Sequence, residues 1–532
     1  LITKDKLATK GKLAGKKLRD VQVEAINFIR NSKKRFIAIN APTGTGKSLI
    51  AFESVDPPLF YLCSSKHLQM QLQRDFPFAS VLWGRSNYPC YGGFSNAEDC
   101  IADTRCYDCP YEQAKKRALS NPSSILNFSY FLTACNYAEF TEKDAYGKRT
   151  VIIDEADMIE NVLVEFISFV FNVDTLSSLG IKTLPEKKTV IDSFVKFLQE
   201  ALPTVKQEQK KYSEKIKKFS KQRDRKLTNA EKAIVRHYNM LLRLRNKLIF
   251  LSQIAEKNEL TEDNWVYYYT GNMIYLKPKW ITRKLADQFL FQYGERFILM
   301  SATLPNKEVL CGLLGIHPDE MDYAEFPSIF HTNNRPVYFI PKWSLSHNGT
   351  TDTDLIRQEV LKLLEMEKEK GVIHTVNYQL SSILKDLSPR LFVHDPYNRQ
   401  QVFEAFMKSQ DGVFVSPSSI RGIDLPDDRA RWILFLKCPF PDLGDPLTNA
   451  RCYSGKWGRL WYLSQCAQDI VQGSGRAVRH EKDWARVYIY DEKAKELVVK
   501  YPLLFPLWFR EAIEFELRPI NPIKEVQDAK QD

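Results

Sequence analysis

Short apolar runs separated by polar, helix-patterned stretches set the rhythm of this chain. FIAI at 36 to 39, LFYLC at 59 to 63, VII at 151 to 153 and FILM at 297 to 300 read as buried strands. Between them KHLQMQLQRDF and YEQAKKRAL read as helices. From about residue 315 the same rhythm returns in GVIHTV, DGVFVS, RWILFL and ARVYIY. Strand and helix in alternation predict α/β units built on parallel sheets.

A longer period occupies the middle of the chain. Pro203 fits the first turn of a helix. Beyond it Val205, Tyr212, Ile216 and Phe219 fall at heptad spacing, with Gln209 in the missing slot. Thr228-Asn229-Ala230-Glu231 reads as a capping box. After it Ile234, Tyr238, Leu241, Leu248 and Ala255 again follow a heptad. Two apolar stripes of this kind predict an antiparallel pair of long helices.

Charge sharpens that segment. The chain has 532 residues and a net charge of +11. Positions 206 to 247 alone hold fifteen Lys/Arg against four Asp/Glu, so the remainder balances. A solvated helical face and a surface that meets a polyanion both fit. Length predicts roughly three or four domains, and no apolar run approaches the ~20 residues that span a bilayer. The Lys-rich start LITKDKLATKGKLAGKKL has no apolar core, so a secretory signal is not expected there. A chain that is not secreted makes structural disulfides rare.

The candidate chemistry sits at the ends of the predicted strands. RFIAINAPTGTGKS at 35 to 48 places a Gly-rich loop between strand and helix, with Ala41 where a P-loop has its first glycine. Thr43, Gly44, Thr45, Gly46, Lys47 and Ser48 would hold ATP, with Lys47 on the β- and γ-phosphates and Ser48 on Mg²⁺. VIIDEAD at 151 to 157 ends a second strand in carboxylates. Asp154 would bind Mg²⁺, and Glu155 would orient or deprotonate the attacking water. QGSGRAVR at 472 to 479 sets Arg476 and Arg479 one helical turn apart, spaced to face one phosphate.

Four of the ten cysteines, Cys90, Cys100, Cys106 and Cys109, crowd into twenty positions with the spacing C-x9-C-x5-C-x2-C. Only the last two form a close pair of the kind structural zinc sites use. Spacing leaves zinc and iron–sulfur open. Cys63, Cys135, Cys311, Cys438, Cys452 and Cys466 are scattered, several in or near apolar runs, and read as core residues.

The order of these motifs resembles that of a superfamily-two helicase: P-loop, Asp-Glu-Ala-Asp, Ser301-Ala302-Thr303, then Gln472-x-x-Gly475-Arg476-x-x-Arg479. Arg19 and Gln22 resemble the upstream motif whose glutamine reads the adenine edge. Cysteines between P-loop and DEAD box narrow the resemblance to the XPD/DinG type. So do Asn127-Phe128-Ser129-Tyr130, the long insertion before Ser301, and SPSSIRGIDLPDD at 416 to 428, whose Asp424 joins the nucleotide-binding candidates. Two positions depart from the pattern: Asp157 stands where much of the family has His, and Arg421 where it often has Glu.

The resemblance implies an α/β fold of two RecA-like parallel-sheet motor domains, with an iron–sulfur insertion and a helical arch-like insertion. Its boundaries would place the first RecA-like domain at 1–85, 113–161 and 269–314, the cluster domain at 86–112, the arch at 162–268 and the second RecA-like domain at 315–532. It implies a [4Fe–4S] cluster on Cys90, Cys100, Cys106 and Cys109, and catalytic roles for Lys47, Asp154, Glu155, Gln472, Arg476 and Arg479. It further implies an ATP-dependent DNA helicase moving 5′ to 3′ on single-stranded DNA and acting on fork or overhang DNA. An RNA-dependent ATPase and an ATP-switched binding subunit are the competing readings. A monomer is expected, cytoplasmic or nucleoid-associated in a prokaryotic or viral setting and nuclear in a eukaryotic one. Tyr88, Tyr91, Tyr107 and Tyr111 are the candidates for base stacking around the cysteines.

Overall fold

The computed structural model describes residues 6–91, 96–98, 108–136, 149–185, 190–220, 227–257, 259–345, 352–417, 425, 427–476 and 478–517. Seventeen strands follow in chain order: β1 Phe36–Asn40, β2 Leu59–Cys63, β3 Ser80–Leu82, β4 Ser123–Asn127, β5 Thr150–Asp154, β6 Phe169–Asn172, β7 Trp265–Thr270, β8 Met273–Pro278, β9 Arg296–Ser301, β10 Met321–Glu325, β11 Val337–Trp343, β12 Gly371–His374, β13 Leu391–Val393, β14 Val413–Ser416, β15 Trp432–Phe435, β16 Arg486–Asp491 and β17 Ile513–Glu514. They form two seven-stranded parallel sheets, ordered β10-β1-β9-β5-β2-β4-β3 and β13-β14-β12-β15-β16-β11-β17. Strands β1, β2, β12, β14 and β15 are buried along their whole length. Helices cover both faces of such sheets, which is why these strands read as continuous apolar runs rather than alternating ones.

Register matters more to the site than strand order. Asn40 pairs with Ser301, and Asp154 with Met300, across β1, β9 and β5. The P-loop, the DEAD segment and Ser301-Ala302-Thr303 therefore leave the first sheet level with one another, at its carboxyl edge. That edge is where parallel α/β sheets bind ligands.

Helices Val190–Ser220 and Asn229–Glu256 pack together as the expected pair. Thr228 and Glu231 form the capping box. Gln209 fills its slot between the helices by accepting a 2.9 Å hydrogen bond from Arg245. Pro203 does not start its helix but lies thirteen residues inside it. A proline there costs roughly 3 kcal/mol. The upstream turns bury Phe194, Phe197, Leu198 and Ala201 at helical spacing. Each buried phenylalanine or leucine is worth about 1.5–3 kcal/mol, so packing outweighs the break. Strands β6, β8 and β7 form a separate antiparallel sheet. Position 268 falls inside β7, so the hydrogen-bonded unit carrying the helices continues to Pro278.

A buried ion pair joins the lobes. Arg451, 2% exposed, reaches from the second lobe to Glu160 just after the DEAD segment, Nη2 to Oε1 2.5 Å. Its Nε donates to the Lys279 carbonyl at 2.5 Å, and its guanidinium lies between the Trp280 and Trp461 rings. Among the described residues no helix is long and apolar enough to cross a membrane.

A candidate nucleotide site between the two lobes

Gly44 and Gly46 take φ of +85° and +84°, which lets the chain turn from β1 into helix Lys47–Ser54. Lys47 is half-buried, its Nζ folded back 3.1 Å from the Ala41 carbonyl. Burial lowers the ammonium pKa. Asp154, Glu155 and Asp157 act the other way, and the Arg479 charge adds to the lowering. Arg479 comes from the second lobe, so its field reaches the P-loop lysine across the cleft.

Tyr61 organises the two residues expected at the magnesium. Its hydroxyl donates to Asp154 Oδ2 at 2.8 Å and lies 3.2 Å from Ser48 Oγ. Burial, then the Asp154 charge, holds the phenol pKa well above normal, so it stays a donor. Asp154 is itself buried, which raises its carboxyl pKa; Lys47 and the Tyr61 hydrogen bond oppose that rise. An oxygen-rich pair brought to one point suits a hard divalent cation. Glu155 sits in left-handed backbone, φ +53°, a conformation that costs a non-glycine residue about 1–3 kcal/mol. Ser64 donates to its Oε2.

Asp157 bridges the lobes. Its Oδ1 accepts from Ser301 Oγ at 2.5 Å and its Oδ2 from Gln472 Nε2 at 2.5 Å. Gln472 Nε2 also lies 3.2 Å from Thr303 Oγ1, and Gln468 donates to the Thr303 carbonyl at 3.2 Å. Desolvation raises the Asp157 carboxyl pKa, opposed by the Ser301 hydrogen bond. Nearby Trp508 donates to the Ala302 carbonyl at 2.8 Å.

Two expectations change here. Helix Lys456–Ser474 ends with Gly475 as its cap, so Arg476 and Arg479 lie beyond it and do not share a helical face. Arg479 is instead held by its backbone N–H, 3.0 Å from Asp483 Oδ2, and the Arg476 carbonyl faces Leu425 N at 3.4 Å. Gln22 is buried with both ends of its amide engaged: Nε2 donates to the Thr45 carbonyl at 2.9 Å and Oε1 accepts from Arg19 N at 3.0 Å. It braces the P-loop rather than facing an open adenine pocket. Arg19 donates to the Gly44 carbonyl at 3.1 Å and pairs with Glu481 of the second lobe at 3.2 Å. Thr43 is half-buried, and Thr45 is fully buried with its hydroxyl donating to the Pro42 carbonyl at 2.7 Å. Asp424 and Arg421 lie outside the described residues.

Comparison with known proteins agrees with this arrangement. Residues 361–512 match the Helicase C-terminal domain family. The ATP-dependent DNA helicase DinG of Photobacterium profundum is 25% identical over 269 residues, 46% of this chain and 37% of that protein. The ATP-dependent DNA helicase chl-1 of Caenorhabditis elegans is 24% identical over 175 residues, 31% of this chain and 19% of that protein. The chain therefore matches well under half the length of these relatives. The solved structure of S. tokodaii Xpd4 superposes with a TM-score of 0.57 at 13% identity, over 94% of this chain and 100% of that one. A solved XPD helicase gives 0.55 at 16% identity, over 92% and 98%. The chain is thus similar in its C-terminal half to a helicase family and in fold to XPD helicases.

Two tyrosines meet where the described chain flanks the cysteine segment. The Tyr88 and Tyr111 rings meet edge to face, centroids 5.7 Å apart, two residues outside Cys90 and Cys109. Tyr88 accepts from Trp83 N at 3.1 Å, and Arg85 lies over the Tyr111 ring. Both tyrosines are buried, so they pack there and are not available to bases; Tyr91 is exposed. Cys109 is the N-cap of helix Pro110–Ser120. Cys90 packs into a small apolar cluster around Ile216 and Val235 of the long helices. Cys90 and Cys109, two soft donors, stand on either side of residues 99–107. Cys100, Cys106 and Tyr107 lie outside the described residues. Cys63, Cys135, Cys311, Cys438, Cys452 and Cys466 are buried.

Asp157, Tyr61, Glu160 and Arg451 went unassigned from sequence. Asp157 carried a signal, being the odd letter of the DEAD box. Tyr61 sits inside an unbroken apolar run, where one hydroxyl among buried residues was the available sign.

Proposed function

We propose that the chain is an ATP-driven motor that moves 5′ to 3′ on single-stranded DNA and unwinds duplex DNA. One observation carries the reading. Asp157, three residues after Asp154, is hydrogen-bonded to Gln472 of the other lobe, so the hydrolysis edge and the moving lobe share a contact.

In the proposed cycle Lys47 leaves the Ala41 carbonyl for the ATP phosphates, with the P-loop N–H groups around them. Ser48 and Asp154 would hold Mg²⁺, which when bound neutralises phosphate charge. Tyr61 keeps the Asp154 carboxylate aimed at that point. Glu155 orients the attacking water and accepts its proton. Arg479 and Arg476, both from the second lobe, stabilise charge on the transferred phosphoryl. Closure tightens the Asp157–Gln472–Thr303 contact, and phosphate release loosens it, so turnover becomes relative motion of two lobes on one strand. Cys90, Cys100, Cys106 and Cys109 would hold a [4Fe–4S] cluster, which when bound would stiffen the segment where strands part.

Lys47→Ala tests the core of the proposal. DNA-stimulated ATP hydrolysis should disappear; unchanged turnover would overturn it. Parallel stimulation by DNA and RNA oligomers separates a DNA motor from an RNA-dependent ATPase. Iron, sulfide and zinc analysis after anaerobic purification tests the cluster, and stoichiometric zinc without iron would refute it.

A further inference from the structure

Strands β13, β14 and β12 are parallel neighbours, so the chain leaves all three at the same edge of the second sheet. Two tyrosines emerge there into solvent. Tyr397, just after β13, is 97% exposed, and Tyr378, just after β12, is 43% exposed. Neither position is a loose tip. Asp395 Oδ1 accepts from the backbone N–H of Tyr397 at 2.8 Å and of Asn398 at 3.0 Å, while Asn398 Oδ1 accepts from Asp395 N at 2.9 Å. These bonds lock the turn that presents Tyr397.

Tyr378 is presented by backbone strain. Val376 takes φ +69°, and a β-branched residue there is a genuine outlier. It turns the chain so that Asn377 caps the next helix, accepting from Leu380 N at 2.8 Å, with Tyr378 as that helix's first residue. Such strain persists where surrounding structure enforces it, and it clusters at functional sites.

His394 joins the two. Its buried ring stacks on Phe414, centroids 5.4 Å apart, and meets Tyr378 edge to face at 5.8 Å. It is held through Ser416 Oγ at 3.0 Å and the Asp395 carbonyl at 2.9 Å. The Tyr378 ring and the turn that carries Tyr397 are thus both tied to His394. Arg399, also exposed, opens the helix Arg399–Lys408 beside Tyr397. Val376 and Asn377 border a groove of about 970 Å³ that carries Lys437, Arg459, Lys493 and Lys500 against Asp442, Asp491 and Glu496, a balance of one positive charge. Asp395, on the same turn as Tyr397, is engaged within that turn, its Oδ2 accepting from Asn398 Nδ2 at 2.8 Å.

We propose that Tyr378 and Tyr397 form a stacking platform for bases of a single strand on the second lobe, with Arg399 and the groove cations taking its phosphates. Every base has a π face, so the platform tolerates any sequence while still requiring a base. The inference rests on the reading that the chain binds a single strand.

The test compares a labelled oligothymidylate with an abasic oligomer of equal length and charge, by fluorescence anisotropy at one salt concentration. Wild type should prefer the oligomer with bases. Tyr397→Ala and Tyr378→Ala should each weaken binding to it by roughly 5- to 50-fold. Both should leave abasic binding unchanged, and Tyr397→Ala, whose ring stands in water, should also leave the unfolding temperature unchanged. Tyr397→Phe should restore base-dependent binding. Wild-type affinity for oligothymidylate in both alanine variants would overturn the platform and leave the motor intact. Equal losses on both oligomers would also overturn it, since phosphate contacts would then explain them. No binding of either oligomer by wild type would overturn the reading beneath it as well.

Discussion

The Asp157–Gln472 contact makes a quantitative claim about coupling. Gln472→Ala removes one 2.5 Å hydrogen bond to a carboxylate and a second, 3.2 Å approach to Thr303 Oγ1. A hydrogen bond to a charged group is worth about 1.5–3 kcal/mol. Burial raises the Asp157 pKa and blunts its charge, so the lower half of that range applies. If the bond is made fully only in the closed cleft, its loss costs closure roughly 10- to 50-fold. The loss should appear in kcat of DNA-stimulated hydrolysis, with nucleotide affinity much less changed, because Gln472 touches no P-loop residue. Asp157→Ala should match it or exceed it modestly, since it also strands Ser301 Oγ. The decisive measurement is the double-mutant cycle on kcat. Asp157→Ala with Gln472→Ala should be little worse than the worse single variant, giving a coupling of at least about 1 kcal/mol. Multiplicative losses would refute a shared contact and reduce both residues to separate local supports.

Three further outcomes follow from the same geometry. Arg451→Met leaves the Glu160 carboxylate buried without its partner and should destabilise the chain by about 3–5 kcal/mol, read by denaturant unfolding, with Glu160→Gln in the same background recovering part of the loss. Asp154 and Asp157 both have carboxyl pKa values raised by burial, so protonation silences them at a higher pH than an ordinary carboxylate. In the chain without Mg²⁺, Tyr61→Phe removes a hydrogen bond that favours ionised Asp154 and should raise that carboxyl pKa further, read by carboxyl-carbon NMR titration. The same two groups bind protons more tightly folded than unfolded, so their ionisation detracts from stability above the folded pKa and the cost is relieved as pH falls. Gly46→Ala should abolish nucleotide binding and lower the unfolding temperature, because a Cβ at φ +84° would stand 2.7 Å from Gln22 Nε2.

What could be read in advance divides along a physical line. Strands β1, β2, β5, β9, β14 and β15 were legible because a strand buried on both faces leaves an unbroken apolar run, and the glycines and carboxylates after them mark where chain leaves the sheet. Contacts between distant segments leave no such trace. Within LTNARCYSG, Arg451 looks like any surface arginine until Trp280 and Trp461, far apart in sequence, close on it. Pro203 misled because local propensity was weighed without the Phe194–Phe197 packing beneath it. The arginine pair misled because three-residue spacing means one face only while the helix lasts, and Gly475 ends it. Asp157 joins the two cases. As a letter it was a departure from a pattern; as a carboxylate it accepts two 2.5 Å hydrogen bonds, one from each lobe. A histidine offers one acceptor nitrogen in its neutral form and none when charged, so it cannot accept from Ser301 and Gln472 together. The substitution therefore changes how the lobes are joined, and coupling in this chain should tolerate Asp157→Asn, which is isosteric and keeps a carbonyl oxygen where Asp157 has one, better than Asp157→His.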